Sequence, residues 1–248
     1  MITYYSDLKT IKDINNPLIN NNVQMRHVGF FENSPNLTTP YFATSLTKTI
    51  QNKAMIYCAN ASKLFSINTG YVSLLLSFPA SINNGVYSLV RNSDKKYLLW
   101  GVNMGQTDIE NPGIGAFLSN NGIEFSIKTL ASYASLIDDT SSIQSNVFFK
   151  IEFIWDKDGI AGLDSEITMA LIVNDEIVAS GAIAILDDLN VSSAFYSAIG
   201  QTPPSGTSVF YNVPFYFLDN IYGLNNISCS VSRIIIGDLV PQSFLESL

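Results

Sequence analysis

One stretch, residues 146–183, limits the fold of this chain more than any other. It reads NVFFKIEFIWDKDG, then a short loop, then SEITMALIVNDEIVASGAI. Residues 148–155 form an apolar run closed by the charged turn Asp156-Lys157-Asp158-Gly159. Two further runs, 167–173 and 177–183, are separated only by Asn174-Asp175-Glu176. Apolar runs of this length between polar turns are too short for helices and suit strands. Three consecutive strands joined by tight turns predict an antiparallel sheet.

The rest of the chain repeats this rhythm. Strands are expected at 54–59, 64–67, 71–78 (YVSLLLSF), 86–91, 97–102 (YLLWGV), 114–118, 123–127 and 191–199. The turn signals are Asn83-Asn84-Gly85, Ser93-Asp94-Lys95-Lys96, Asn111-Pro112-Gly113 and Asn120-Asn121-Gly122. Asn-Gly between apolar runs is a hairpin signal, because both residues tolerate positive φ. Residues 105–113 read as a polar loop, and 129–145 as a loop or short helix. Residues 209–218 (VFYNVPFYFL) contain Pro214, which cannot donate to a ladder, so an edge strand, bulge or covering loop is expected there. In 227–237, Ile227, Cys229 and Val231 alternate with Ser228, Ser230 and Ser232. About a dozen strands at spacings of roughly 10 residues predict an all-β sandwich or barrel. Apolar residues make up 47% of the chain, enough for a large core.

Residues 1–50 differ. Asn and Thr are dense, Pro17, Pro35 and Pro40 interrupt the segment, and 6–14 suits one or two helical turns. The segment is read as an N-terminal arm or lead-in strands, ahead of a domain at 51–248. Ile2, Tyr4, Tyr5, Phe30, Phe31, Tyr41 and Phe42 give it more apolar surface than a linker needs. That surface predicts packing on a second copy or another protein, with a sandwich that folds without 1–45.

Composition excludes several functions. Thirteen Lys and Arg against 21 Asp and Glu give a net charge of −8, which opposes binding to phosphate backbones. Two cysteines, Cys58 and Cys229, cannot build a disulfide framework or a four-ligand zinc site and read as buried free thiols. The single histidine, His27, argues against a multi-histidine metal site or a histidine-based triad. No signal-peptide pattern opens the sequence, and no run of about 18 apolar residues is long enough to span a membrane. Asn36, Asn60, Asn190 and Asn226 match the glycosylation pattern, as chance allows in an Asn- and Ser-rich chain.

FFKIEFIWDKDG, ITMALIVNDEIVASGAI and the later VSRIIIGD together resemble the concanavalin A-like or laminin-G-like jelly roll. That family has a strand ending in Trp and a charged turn, a hairpin with an Asn-bearing turn, and a late strand ending in Gly. Trp155, Asn174 and Gly237 stand at those places. The resemblance covers residues 64–238 and implies a two-sheet antiparallel sandwich. Asp175 stands where the family usually has Gly, which leaves the turn type open.

The polysaccharide-cleaving members of that family carry Glu-x-Asp-x-x-Glu on one strand, and its lyases use a Tyr, His, Arg and Gln set. Neither can be assembled here. Asp164-Ser165-Glu166 lacks a third acid, and Glu152 has no carboxylate two residues away. A non-enzymatic role is therefore expected. Asp156 and Asp158 in a Gly-containing turn could supply hard oxygen ligands to calcium, which laminin-G-like domains often hold at a rim. Trp100, Tyr211 and Tyr216 are the candidates for stacking on a glycan, with Tyr97 and Phe215 beside them in sequence. The combined expectation is a structural, decoration or host-adhesion protein of a virus particle, a phage by fold analogy, that could touch cell-surface glycans. A polysaccharide hydrolase or lyase and a cellular lectin are the alternatives. Localisation is then the virion, or otherwise the cytoplasm.

Overall fold

The computed structural model describes residues 1–9, 11–29, 31–35, 44–48, 54–66, 68–78, 97–104, 109–119, 122–128, 133–138, 144, 146–182, 214–218 and 229–238. These residues form sixteen strands. The first six are β1 (Ile2–Asp7), β2 (Ile19–Asn20), β3 (Met25–Val28), β4 (Glu32–Pro35), β5 (Thr44–Lys48) and β6 (Met55–Cys58). Then come β7 (Thr69–Ser77), β8 (Tyr97–Met104), β9 (Ile109–Ser119), β10 (Gly122–Lys128) and β11 (Tyr133–Asp138). The last five are β12 (Phe149–Asp156), β13 (Met169–Val173), β14 (Glu176–Gly181), β15 (Phe215–Phe217) and β16 (Cys229–Gly237).

Two antiparallel sheets face each other, as expected for a jelly-roll sandwich. The first runs β14-β13-β12-β7-β16-β1-β2, with β4 paired to β5 and β5 paired to β16. β5 and β1 share one edge of β16, end to end: Lys48 and Leu46 face Cys229 and Val231, while Asp7 to Ile2 face Arg233 to Gly237. The second sheet runs β11-β10-β9-β8-β15-β6-β3.

Over its described residues the stretch 146–183 folds as its pattern predicts, with β13 and β14 shorter than the expected strands 167–173 and 177–183. β12 pairs with β13, and β13 turns into β14 with Val173 facing Glu176. Asn174 and Asp175 take φ of 50° and 70°, as a two-residue hairpin turn with positive φ at both centres requires. Asn174 also ties the turn to β12: its N–H donates to the Lys150 carbonyl at 2.9 Å, and its Oδ1 accepts from the Lys150 N–H at 3.0 Å. These local bonds answer the question raised by Asp175, since Asp tolerates the left-handed region better than most residues.

Alternation on β12 sends Phe149, Ile151, Phe153 and Trp155 inward, where all are buried. Phe65, Trp100, Phe125, Phe153, Trp155 and Phe215 meet in one aromatic cluster drawn from both sheets. Gly70, opposite Trp155 in the β7–β12 ladder, lets that indole lie flat. A Cβ there would come within 2.1 Å of Trp155 Cζ2.

Several expectations need correction. The segment 64–67 is not a strand over its described part. A 3-10 turn, Ala61–Lys63, precedes Leu64 and Phe65, which bury their side chains without entering a ladder. Within 129–145, expected to be a loop or short helix, the described residues 133–138 form β11. The supposed loop 105–113 already belongs to β9 from Ile109 onward. Pro112 sits where the β8–β9 register shifts between the Val102–Ile114 and Met104–Ile109 pairs, so it breaks no regular ladder. β15 is not an edge strand either, because it lies between β8 and β6. Pro214 precedes the first paired residue and so costs no ladder bond. The segment 6–14 is the end of β1 followed by a 3-10 turn, Ile11–Ile14. The strands expected at 86–91 and 191–199 lie outside the described residues.

The described part of 1–50 is woven into the sandwich. β1 sits between β16 and β2, and β3 edges the opposite sheet. Tyr4, Leu8, Ile14, Val23, Met25 and Phe31 all join the main core. Tyr4 and Phe31, two of the residues that suggested an outside partner, are spent on the chain's own interior. Phe30, Tyr41 and Phe42 lie outside the described residues. Removing 1–45 would strip core side chains from both sheets, which speaks against a sandwich that folds without them.

Candidate functional site

Trp100 sits at the centre of the aromatic cluster with no exposed surface. It stacks on Trp155 at 5.9 Å and on Phe215 at 6.0 Å between ring centroids. Its indole N–H is buried without a hydrogen-bond partner. No face of the ring is left for a ligand, so Trp100 is core, and Phe215 with it. Tyr211 lies outside the described residues. Tyr216 points to the other side of β15, onto the outer face of the second sheet, where it packs with Leu98 and Phe117 beside Tyr57 and Met55. It is largely buried there.

The acidic turns are engaged internally. Asp156 Oδ1 accepts from the Asp158 N–H at 3.0 Å, and the Asp158 carboxylate takes Lys157 Nζ at 2.8 Å. Asp164 Oδ1 accepts from the Glu166 N–H at 3.2 Å in an exposed turn. Among the described residues no three His, Cys, Asp or Glu side chains gather as a metal site. Cys58 is buried, and burial pushes its thiol pKa up, which suits an unreactive core residue.

Two glutamates are buried on outer sheet faces, one on each sheet. Glu152 on β12 accepts a short hydrogen bond from the Tyr71 hydroxyl, and its Oε2 lies 3.2 Å from Lys150 Nζ. Lys150 also pairs with Asp175 in the hairpin turn. Burial first, and the Glu152 carboxylate second, push the Tyr71 pKa well above its ordinary value. Burial alone would lower the Lys150 pKa, but Asp175 and Glu152 outweigh it and hold the ammonium form.

Glu124 on β10 is held differently. Its Oε1 accepts from Ser126 Oγ at 2.8 Å and from the Tyr133 hydroxyl at 3.0 Å. The ladder explains the geometry. Lys128 faces Tyr133, Ser126 faces Ser135 and Glu124 faces Ile137. Tyr133 can reach Glu124 only by laying its side chain along the sheet, over the Ser126 rung. Ser126 is accordingly buried and Glu124 is 5% exposed, while Tyr133 itself is 52% exposed. The result is a half-exposed tyrosine that reaches along the sheet and is pinned at its hydroxyl by a buried carboxylate. On the neighbouring β9, Gly113 and Gly115 face Lys128 and Ser126, while Phe117 faces Glu124 on the same outer side of the sheet.

Sequence reasoning missed this cluster. The strand 123–127 was legible, and its alternation puts Glu124 and Ser126 on one face. Tyr133 stood in a segment read as loop or helix, so nothing linked it to them.

No family model matches the sequence, and no curated protein does. Solved structures share its fold. The receptor-binding domain of botulinum neurotoxin mosaic serotype C/D, solved with a tetraethylene glycol molecule on its Hcn sub-domain, aligns with a TM-score of 0.61 at 16% identity, over 98% of this chain and 49% of that one. The serotype D ligand-binding domain, in complex with N-acetylneuraminic acid, aligns with a TM-score of 0.58 at 14% identity, over 98% and 48%. The chain thus spans about half the length of these toxin domains. Domain 4 of AbnA, a GH43 extracellular arabinanase from Geobacillus stearothermophilus, in complex with arabinotriose, aligns with a TM-score of 0.59 at 11% identity, over 99% and 97%. The sandwich is therefore a fold used by all-β binding domains. Among the described residues, no helix is long and apolar enough to cross a membrane.

Proposed function

We propose that this chain is a non-enzymatic glycan-binding module whose contact surface is the outer face of β10 and β11. The observation that carries the reading is the Tyr133 ring, exposed, laid along the sheet and anchored on buried Glu124. Such a ring offers a flat apolar surface to the C–H face of a sugar at little entropic cost, because its orientation is already set. The polar groups beneath it fix orientation, as sparse polar groups do in ligand sites. The serotype D toxin domain and the arabinanase domain, both solved with sugars, supply fold analogy in support. The setting we propose is the surface of a virus particle, where the module decorates the particle or attaches it to a host. The low share of charged residues, 14%, and the abundance of neutral polar ones support an exposed role of that kind. A neighbour on the particle would meet Leu18, Ile19 and Val28, which are exposed large apolar residues on or beside the edge strands β2 and β3.

The test is a binding screen of the full chain on immobilised oligosaccharides, repeated with Tyr133→Ala. Binding that falls at least about tenfold on losing the ring supports the reading. No binding to any glycan, or binding indifferent to Tyr133→Ala, overturns it. Incubation with common polysaccharides is expected to release no product, and turnover would favour the hydrolase or lyase alternative. Co-purification with assembled particles checks the setting.

A further inference from the structure

The exposure along β11 carries a statement about ligand length, which rests on the glycan-binding reading above. β11 is the last strand of the second sheet, and its outer side chains are Tyr133, Ser135 and Ile137. Ala134 and Leu136 alternate with them and pack on the main core. The backing is firm. Leu136 approaches Gly181 on β14 so closely that a Cβ added there would come within 3.1 Å of its Cδ2. The two sheets therefore meet along this rim, and β11 is held against the core.

Tyr133 and Ile137 are both exposed, the second at 42%. Four residues at about 3.4 Å each put their Cα atoms about 14 Å apart. Tyr133 fills the first part of that span, because it reaches over the Ser126 rung to Glu124, the residue that faces Ile137. The tyrosine and the isoleucine thus form one strip along β11, longer than a single sugar ring. Its apolar parts are separated by the Tyr133 hydroxyl and by the half-buried Ser135. An unbroken apolar partner would have to bury those hydroxyls, whereas a sugar chain presents C–H faces and hydroxyls in turn.

We infer that β11 binds a linear oligosaccharide lengthwise, with one sugar on Tyr133 and another, further along the same chain, on Ile137. Tyr133 is the anchor, and Ile137 reads chain length. A monosaccharide reaches one of the two contacts. A trisaccharide reaches both, and its second contact then forms intramolecularly.

The experiment measures the affinity of the full-length chain for linear arabinan, xylan, cellulose and chitin fragments, each series running from monosaccharide to pentasaccharide. In a series that binds, affinity should rise at least about tenfold from monosaccharide to trisaccharide and level off at the longer fragments. Ile137→Thr keeps the β-branch and removes apolar surface. It should flatten the rise and leave monosaccharide affinity unchanged. Tyr133→Ala should weaken binding at every length. Melting curves establish that both variants are folded. Affinity that ignores chain length, or a rise that survives Ile137→Thr, overturns the inference and leaves the glycan-binding reading standing as long as Tyr133→Ala still weakens binding. A change of oligomeric state in Ile137→Thr by light scattering, with every affinity intact, assigns the strip to a second copy and overturns the inference too. Absence of binding in every series overturns it, and a negative oligosaccharide screen besides overturns both.

Discussion

Glu152 and Glu124 are two buried carboxylates on the outer faces of opposite sheets, and they are held by different means. Glu152 is held by Tyr71 on the next strand and by the Lys150 ammonium, which is in turn braced by Asp175 in the hairpin turn. These groups are tied to one another across β7, β12 and the β13–β14 turn. Glu124 accepts from the hydroxyls of Ser126 and Tyr133, and Tyr133 is 52% exposed. A buried charge is tolerated when it is paired and hydrogen-bonded. The first arrangement puts that pairing into stability. The second orients a surface ring. Under the proposed glycan-binding reading, the first carboxylate serves stability and the second positions a contact residue.

The comparison can be broken in order of expected effect. Lys150→Met leaves Glu152 buried beside Tyr71 with its cation gone. Loss of one partner from a buried pair is costly, and because Lys150 is a quarter exposed the lower end applies, about 2 to 3 kcal/mol by urea unfolding at neutral pH. A change below about 0.5 kcal/mol would show that Glu152 does not depend on Lys150.

Tyr71→Phe removes one hydrogen bond to a charged group and should cost about 1.5 to 2 kcal/mol. It should also change the alkaline limb of the stability curve. The Tyr71 pKa is raised in the folded state, so the native chain holds this proton more tightly than the unfolded one. Its contribution is complete below about pH 10 and is lost as pH rises beyond that. Lys150 is shifted upward as well and loses its contribution in the same direction. Unfolding followed from pH 8 to 11 should therefore show a shallower decline in Tyr71→Phe than in the parent. Tyr4, raised chiefly by burial, keeps part of the decline in place.

Glu124→Gln should cost about 1 kcal/mol of stability, because an amide oxygen still accepts from Ser126 and Tyr133. Tyr133→Phe, at an exposed position, should stay within about 0.5 kcal/mol. Both should alter glycan binding far more than melting temperature. A Glu124→Gln variant that destabilises more than Lys150→Met would reverse the assignment of structural and functional roles.

Much of the fold was legible because sheets write themselves into sequence at period two. The β12 alternation of Phe149, Ile151, Phe153 and Trp155, and the polar pair Asn174-Asp175 between two apolar runs, are local signals, and the structure follows both. The site was less legible. Trp100 and Tyr216 lie on strands β8 and β15, which are neighbours in the sheet, yet one faces the core and the other the outer surface. An aromatic residue in a strand announces burial or stacking equally well until the sheet order decides which face is inside.

By itself, the sequence determined that this chain is an all-β sandwich with a large core, an acidic surface balance and no recognisable catalytic set. Those properties depend on composition, alternation and turn chemistry, all of which act between near neighbours. Tertiary structure alone decided that β1 and β3 of the lead-in complete opposite sheets, that β15 is interior, and that Tyr133 meets Glu124 nine residues away in the chain. Each of those outcomes depends on which strands pair and in what register. A shift of one residue would turn every side chain to the other face, and that choice is made by the packing of the whole core.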